Sequence, residues 1–335
     1  MNSKSNWMSA EQHLYHKRQA LQQQYDLVAD KLKRLRYDYA ITADTLVRFQ
    51  LEKQTEQTEA ELNSLDQQLH ELDQTLSSGK LYSALLRLGY RKHTLAFRRF
   101  IEAYSIAAFL IHGSPDYGQR WLLNRLVVQY APRIITGKIV RINLSRIARR
   151  SDINALWREL GGRVGLDRQS PISEIVERVC QWWRTQNVLL IFYNIDFLSE
   201  TFLNDLIRDF WLPLTIRARK ATSQTSDFKL LMFLVDYDGC VGSWNVPFAE
   251  RLETTWQPDQ PVKLPEISEF SEDELTNWLE FAADELPIKL IDQVDETIQI
   301  ILKNSDNGIP EPTLGEICRL CDCNWYEQEE KWLRL

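Results

Sequence analysis

Two glycines, Gly113 and Gly118, bracket the central part of the run Ile111–Arg120, IHGSPDYGQR. Their spacing is that of the phosphate-cradling pattern G-x-x-x-x-G-K-[S/T], in which backbone N–H groups curl around a phosphate at the start of a helix. The chemistry stops at the next two positions. Gln119 stands where a lysine would reach the β- and γ-phosphates, and Arg120 stands where a hydroxyl would hold Mg²⁺. An amide brings no positive charge, and a guanidinium has only donors, so it repels a cation and cannot ligate it. Asp116 adds a negative charge inside the loop itself.

A second constellation should supply a metal-organising carboxylate at the end of a buried strand. The run Leu189–Asp196, LLIFYNID, fits that strand. In one register Tyr193 takes the place of the acid, and in the neighbouring register Asn194 does. Asp196 follows two or three residues on, where it either holds a water or caps the next helix. The run Phe233–Asp238 ends without a polar sensor or arginine; Asp236 and Asp238 read as a polar strand exit or as a cation-binding pair. Cys318, Cys321 and Cys323 form C-x-x-C-x-C, which lacks a nearby fourth ligand for zinc. The five histidines, at 13, 16, 70, 93 and 112, make no catalytic pattern. No catalytic residue, metal site or cofactor is therefore expected. The replacements bear more directly on hydrolysis than on nucleotide binding.

These residues need strands and helices to position them. Ile106–His112 is a continuous apolar run, as in a strand buried on both faces. Gln119–Tyr130 reads as a helix and Lys138–Leu144 as a second strand. Helices follow at about 152–161 and 172–186, then a third strand at Val188–Tyr193, a helix over Glu200–Ala218 and a fourth strand at Lys229–Val235. Strands alternating with helices predict an α/β domain with a mainly parallel sheet over residues 105–265.

Ahead of it, residues 1–79 predict an antiparallel helical hairpin, a coiled coil. Leu14, Leu21, Tyr25, Val28, Leu32, Leu35 and Tyr39 recur in steps of three and four, as do Leu46 and Phe49 and then Leu62, Leu65, Leu69, Leu72 and Leu76. Thr42 or Asp44 is positioned to cap the second helix, Ser77-Ser78-Gly79 to end it, and Lys53 and Glu56 weaken its seam. Each helix should span roughly 45–50 Å. Residues 80–104 are basic and amphipathic and predict a connecting helix. Residues 266–335 predict a small helical region with a capping box at Ser271–Glu274 and a helix over Ile288–Leu302.

The 335-residue chain has a net charge of −7, distributed unevenly. Residues 266–335 hold 5 Lys/Arg against 18 Asp/Glu, while residues 1–100 hold 15 against 12. The balance weighs against nucleic acid as a partner. No run of 18 apolar residues predicts membrane insertion, and Met1–Ala10 lacks the apolar core of a leader. A cytoplasmic protein with reduced thiols is expected.

The runs AFLIHGSPDYGQRWLLNRL, LLIFYNIDFL, LLMFLVDYDG and VKLPEISEFSEDELTNWL together resemble the STAND branch of P-loop NTPases, over about residues 92–285. In particular they resemble the inactive STAND domains of bacterial conflict and signalling systems. Active members keep the lysine, the Ser/Thr and the acidic pair, and this chain departs at each. The resemblance implies a P-loop NTPase-like fold that no longer hydrolyses nucleotide. It also implies an adaptor role through protein partners, with a recruitment segment in front. The hairpin occupies that place and could also pair copies of the chain. Two other readings stay open: a nucleotide-binding switch without hydrolysis, and an AAA+-like DNA-associated regulator.

Overall fold

The computed structural model describes residues 2–148, 153–221, 228–250, 256–333 and 335. Two compact units divide the chain between Ala84 and Leu85.

The first unit is a hairpin of α1 (Asn2–Ile41) and α2 (Thr45–Leu85). Its seam buries Leu32 on α1 and Leu65, Leu69, Leu72 and Leu76 on α2. Leu46 and Phe49, expected on the same stripe, are exposed instead, near the end of the hairpin where less of the partner helix remains to cover them. The middle of the seam is filled one register away from Lys53 and Glu56, which are exposed. Thr58 is buried there and donates its hydroxyl to the Gln54 carbonyl at 2.7 Å, so a polar side chain sits in the seam without an unmet hydrogen bond. Arg18 pairs with Asp73 (2.6 Å) and Arg36 with Glu59 (2.8 Å) across the antiparallel seam. The Asp44 carboxylate accepts from the amides of Leu46 and Val47, making it the cap of α2.

Ser77-Ser78-Gly79 does not end α2. With 40 and 41 residues, each helix is about 60 Å long, more than expected. An interior glycine costs only about 1 kcal/mol relative to alanine. The buried Leu81, Tyr82, Ala84 and Leu85 outweigh that. The helix stops at Leu85, and Gly89 and Tyr90, two successive residues with positive φ, 59° and 53°, then turn the chain before α3. The expected single helix over 80–104 is therefore cut in two, and α3 spans only Arg91–Ala103.

In the second unit α3 leads into β1 (Ile106–Ile111), α4 (Gln119–Tyr130), β2 (Lys138–Asn143), α5 (Ser145–Ala148), α6 (Ile153–Arg163) and α7 (Ile172–Trp183). Next come β3 (Val188–Tyr193), α8 (Glu200–Leu206), a π-helical turn (Ile207–Trp211), α9 (Leu212–Ala221), β4 (Leu230–Val235) and β5 (Val262–Lys263). Asp152, the expected start of the helix before α7, lies outside the described residues. The five strands form one parallel sheet in the order β2-β3-β4-β1-β5. β5 is a two-residue strand that the sequence pattern did not predict. This is the P-loop NTPase-like architecture, with the glycine-bracketed loop joining β1 to α4.

Every residue of β1 and β4 is buried, because helices cover both faces. Ala108, Leu110, Leu190, Met232 and Leu234 pack with α6–α9 on one face. On the other, Phe109 stacks on Phe233 (5.4 Å between centroids) and meets Phe97 of α3 edge-on (4.9 Å). The basic stretch thus buries its apolar face against the sheet.

The C-terminal helices are α10 (Glu272–Phe281), α11 (Ile288–Ile291), α12 (Val294–Asn304), α13 (Pro310–Leu320) and α14 (Trp325–Trp332). The capping box forms as read, with Ser271 and Glu274 bonding each other's backbone amides. The expected helix over 288–302 is interrupted at Asp292-Gln293.

Candidate functional site

In a parallel sheet all strands end on the same side, and here Ile111, Tyr193 and Val235 are level in the register. The loop after β1, the turn after β3 and the turn after β4 therefore meet beyond the carboxyl ends of the strands, where ligands bind in open α/β sheets.

Gly118 opens α4 with φ 70°, and a Cβ there would lie 2.8 Å from the Tyr90 hydroxyl. Gly113 is needed for close approach, since its Cβ would lie 2.9 Å from that of Ile267. Between them Asp116 takes a positive φ of 66°. The loop is held from outside as well. The Tyr90 hydroxyl donates to the Tyr117 carbonyl (3.2 Å), the Ile267 amide to the His112 carbonyl (3.1 Å) and the Glu311 amide to the Asp116 carbonyl (3.0 Å). The Tyr117 hydroxyl donates to the Glu269 carboxylate.

Gln119 is 1% exposed and turns back into the loop. Its amide nitrogen donates to the carbonyls of Gly113 and Ser114, both at 2.9 Å. Both amide hydrogens are thereby engaged with loop backbone, and the side chain bolts the loop to the first turn of α4. Arg120 leaves in the other direction and pairs with Glu329 of α14 at 3.3 Å. Glu311, on the first turn of α13, is held above the usual carboxylate range by burial, and then by the charges of Glu329 and Asp116. Arg120 thus shares its surroundings with the carboxylates of Glu329, Glu311 and Asp116, an arrangement that disfavours a polyphosphate.

Tyr193 is the last residue of β3, and its buried hydroxyl has no hydrogen-bond partner among the described residues. Burial raises the phenols of both Tyr193 and Tyr237. Asn194 has a left-handed φ of 59° and donates its side-chain amide to the Asn143 side chain at 2.9 Å. Asp196 does not cap the following helix; Ser199 caps α8. The Asp196 carboxylate instead accepts the Tyr237 amide (3.0 Å), tying the β3 turn to the β4 turn. Asp236 is fully buried and accepts three amides, from Asp238, Gly239 and Val241, at 2.8–3.0 Å. It organises the strand exit.

Sequence reasoning missed the outer shell. Trp121, the residue after Arg120, packs edge-on against Trp325 (5.5 Å) and lies 6.3 Å from Trp332, both on α14. The tryptophan richness was the available signal, but the partner helix lies some 200 residues away. Arg125, one turn further along α4, is buried without a carboxylate. It donates to the carbonyls of Leu88 and Gly89, and Gln129 donates to that of Leu86. Burial lowers the Arg125 guanidinium to about 10. His93 is buried, bonds the Pro265 carbonyl through Nε2 (2.8 Å), and leaves Nδ1 without a partner; burial pushes it down to about 4. Cys318 is buried in α13, with Cys321 and Cys323 following. No group of three or more His, Cys, Asp and Glu among the described residues could hold a metal.

Residues 85–235 match the family model of iSTAND, the inactive STAND family. The match starts at the first residue of the second unit and ends on the last residue of β4. No curated protein matches the chain. Among solved structures the chain is similar to the Aeropyrum pernix ORC1 protein in complex with DNA, at 14% identity and a TM-score of 0.37, over 75% of this chain and 64% of that one. It is similar to Cdc6p from Pyrobaculum aerophilum, at 16% identity and a TM-score of 0.43, over 73% of this chain and 64% of that one. Domain III of the Thermotoga maritima replication initiation protein DnaA aligns at 12% identity and a TM-score of 0.36, over 76% of this chain and 98% of that domain. The chain thus spans less than two thirds of the length of the two archaeal proteins. No helix among the described residues is long and apolar enough to cross a membrane.

Proposed function

We propose that this chain is a catalytically inactive STAND-like adaptor or scaffold of a bacterial signalling or defence system, in which the α/β unit is a structural platform and the hairpin contacts protein partners. The observation that carries this reading is the fate of Gln119. The position that would present a cation to the phosphates instead spends both amide hydrogens on the loop's own carbonyls. The neighbouring Arg120 is engaged by Glu329. Tyr193, at the end of β3, offers no metal-organising carboxylate.

The test is calorimetry of the full chain with ATP, ADP and GTP in the presence of Mg²⁺, alongside an assay for released phosphate. No heat of binding and no phosphate are expected. Micromolar binding with turnover would overturn the reading, and binding without turnover would replace it with a nucleotide switch.

A further inference from the structure

The tip of the hairpin carries a cluster of exposed apolar side chains, separate from Leu27 further down α1. Tyr37 and Ile41 at the end of α1, and Leu46 and Phe49 at the start of α2, are each more than half exposed. Single exposed hydrophobics are ordinary, but four large ones within thirteen residues form the kind of patch that marks an interaction site. The surroundings are basic: residues 31–53 hold six Lys/Arg against three Asp/Glu. Arg48 lies over the Tyr39 ring and Lys53 over that of Phe49, both at 4.9 Å, so the cations sit among the aromatic side chains.

The second unit carries a patch of opposite charge. Phe281, 84% exposed, and Ile288, 73% exposed, flank the short turn between α10 and α11. Residues 280–296 hold six Asp/Glu against one lysine. Glu280, Asp284 and Asp292 are all exposed.

We infer that the hairpin tip of one chain docks on the acidic patch around Phe281 and Ile288 of a second copy. Both surfaces offer large side chains with nothing to bury them, and their rims carry complementary charge, which favours correct pairing and faster encounter. The contact is head-to-tail: a bound chain still presents one free tip and one free patch. Such heterologous contacts propagate into rings or filaments. The inference rests on the scaffold reading above and supplies its partner, a second copy of this chain.

Sedimentation of the full chain, without nucleotide, over a range of concentrations tests it. The wild type should grow in mass beyond the 39.4 kDa monomer, less so as salt rises. A tip variant, Leu46→Asp with Phe49→Asp, and a patch variant, Phe281→Asp with Ile288→Asp, should each stay monomeric. Their circular dichroism should be unchanged, because all four residues are exposed. Mixed in equal amounts, the two variants should form a one-to-one pair and nothing larger, each supplying its intact surface. A wild type that stays monomeric overturns the inference, as does a patch variant that assembles like the wild type, which would indicate hairpin-on-hairpin pairing. A monomer that binds no nucleotide sinks the assembly and leaves the scaffold reading standing. Nucleotide turnover sinks the scaffold reading whatever the mass.

Discussion

If Gln119 is a bolt, removing it should destabilise the protein before any ligand is added. Gln119→Ala strips a donor from the buried Gly113 carbonyl, which costs about 1–3 kcal/mol. It also removes one bond to the Ser114 carbonyl on the more exposed side of the loop, worth about 0.5–1.5 kcal/mol. Alanine, a better helix former at the start of α4, returns roughly a few tenths of a kcal/mol. The net loss is about 2 kcal/mol, or about 4–8 °C in melting temperature for a unit of this size. Ten of the eleven tryptophans follow residue 85, so their fluorescence reports the α/β unit with little signal from the hairpin. Gln119→Glu keeps the shape and removes the donors, setting a carboxylate against two carbonyl oxygens. It should be less stable than the alanine variant at pH 7 and should recover as the pH falls. A carboxyl whose folded pKa is raised holds its proton more tightly when folded, and that stability is lost as pH rises through the folded pKa. Coincident melting curves for wild type and Gln119→Ala, without ligand, would refute the bolt and reopen Gln119 as a ligand-facing residue.

Three further outcomes are expected. Gln119→Lys with Arg120→Thr rewrites the loop to the active pattern but should release no phosphate above background, because Tyr193 still ends β3 and Glu311 and Glu329 still line the loop mouth; measurable turnover would contradict this. Trp332→Ala should loosen α14 from Trp121 at a cost of about 3 kcal/mol, seen as earlier proteolysis near the C-terminus together with a lower melting temperature. His93 has its pKa lowered from 6.5 to about 4, so its contribution is complete above pH 6.5 and lost as the pH falls toward 4, amounting to about 3 kcal/mol. His93→Gln should flatten the stability profile over that window, and an unchanged acid slope would count against the assignment.

Much of the fold was legible because its signals are local. Two-sided burial writes itself as unbroken apolar runs, so β1, β3 and β4 stood out. The hairpin seam was visible because leucines recur in steps of three and four. What failed was punctuation. Gly79 looked like a stop, but helix ends depend on what the following residues bury, and the left-handed pair at Gly89-Tyr90 has no equally plain signature at its tyrosine. The two-residue β5 is too short to show a period. At the site, the substitutions at Gln119 and Arg120 could be read from the glycine spacing, and the lack of an acid at Tyr193 or Asn194 from the apolar run before them. Their present partners could not. Glu329 lies 209 residues from Arg120, and nothing in either local sequence points to the other. The capping expected of Asp196 failed for a related reason: its carboxylate accepts the amide of Tyr237, in the turn after β4, 41 residues away.

Arg125 and Gln129 gain a mechanical meaning from their position. They grip the carbonyls of residues 86–89, the few residues through which the chain passes after leaving the 41-residue α2. They stand on α4, whose first residue is Gln119. The stretch that leads from Leu85 toward α3 is therefore stapled, by a buried guanidinium and an amide, to the same helix whose first residue closes the loop. Loop and connector share one support, so a change that shifts α4 reaches both of them together.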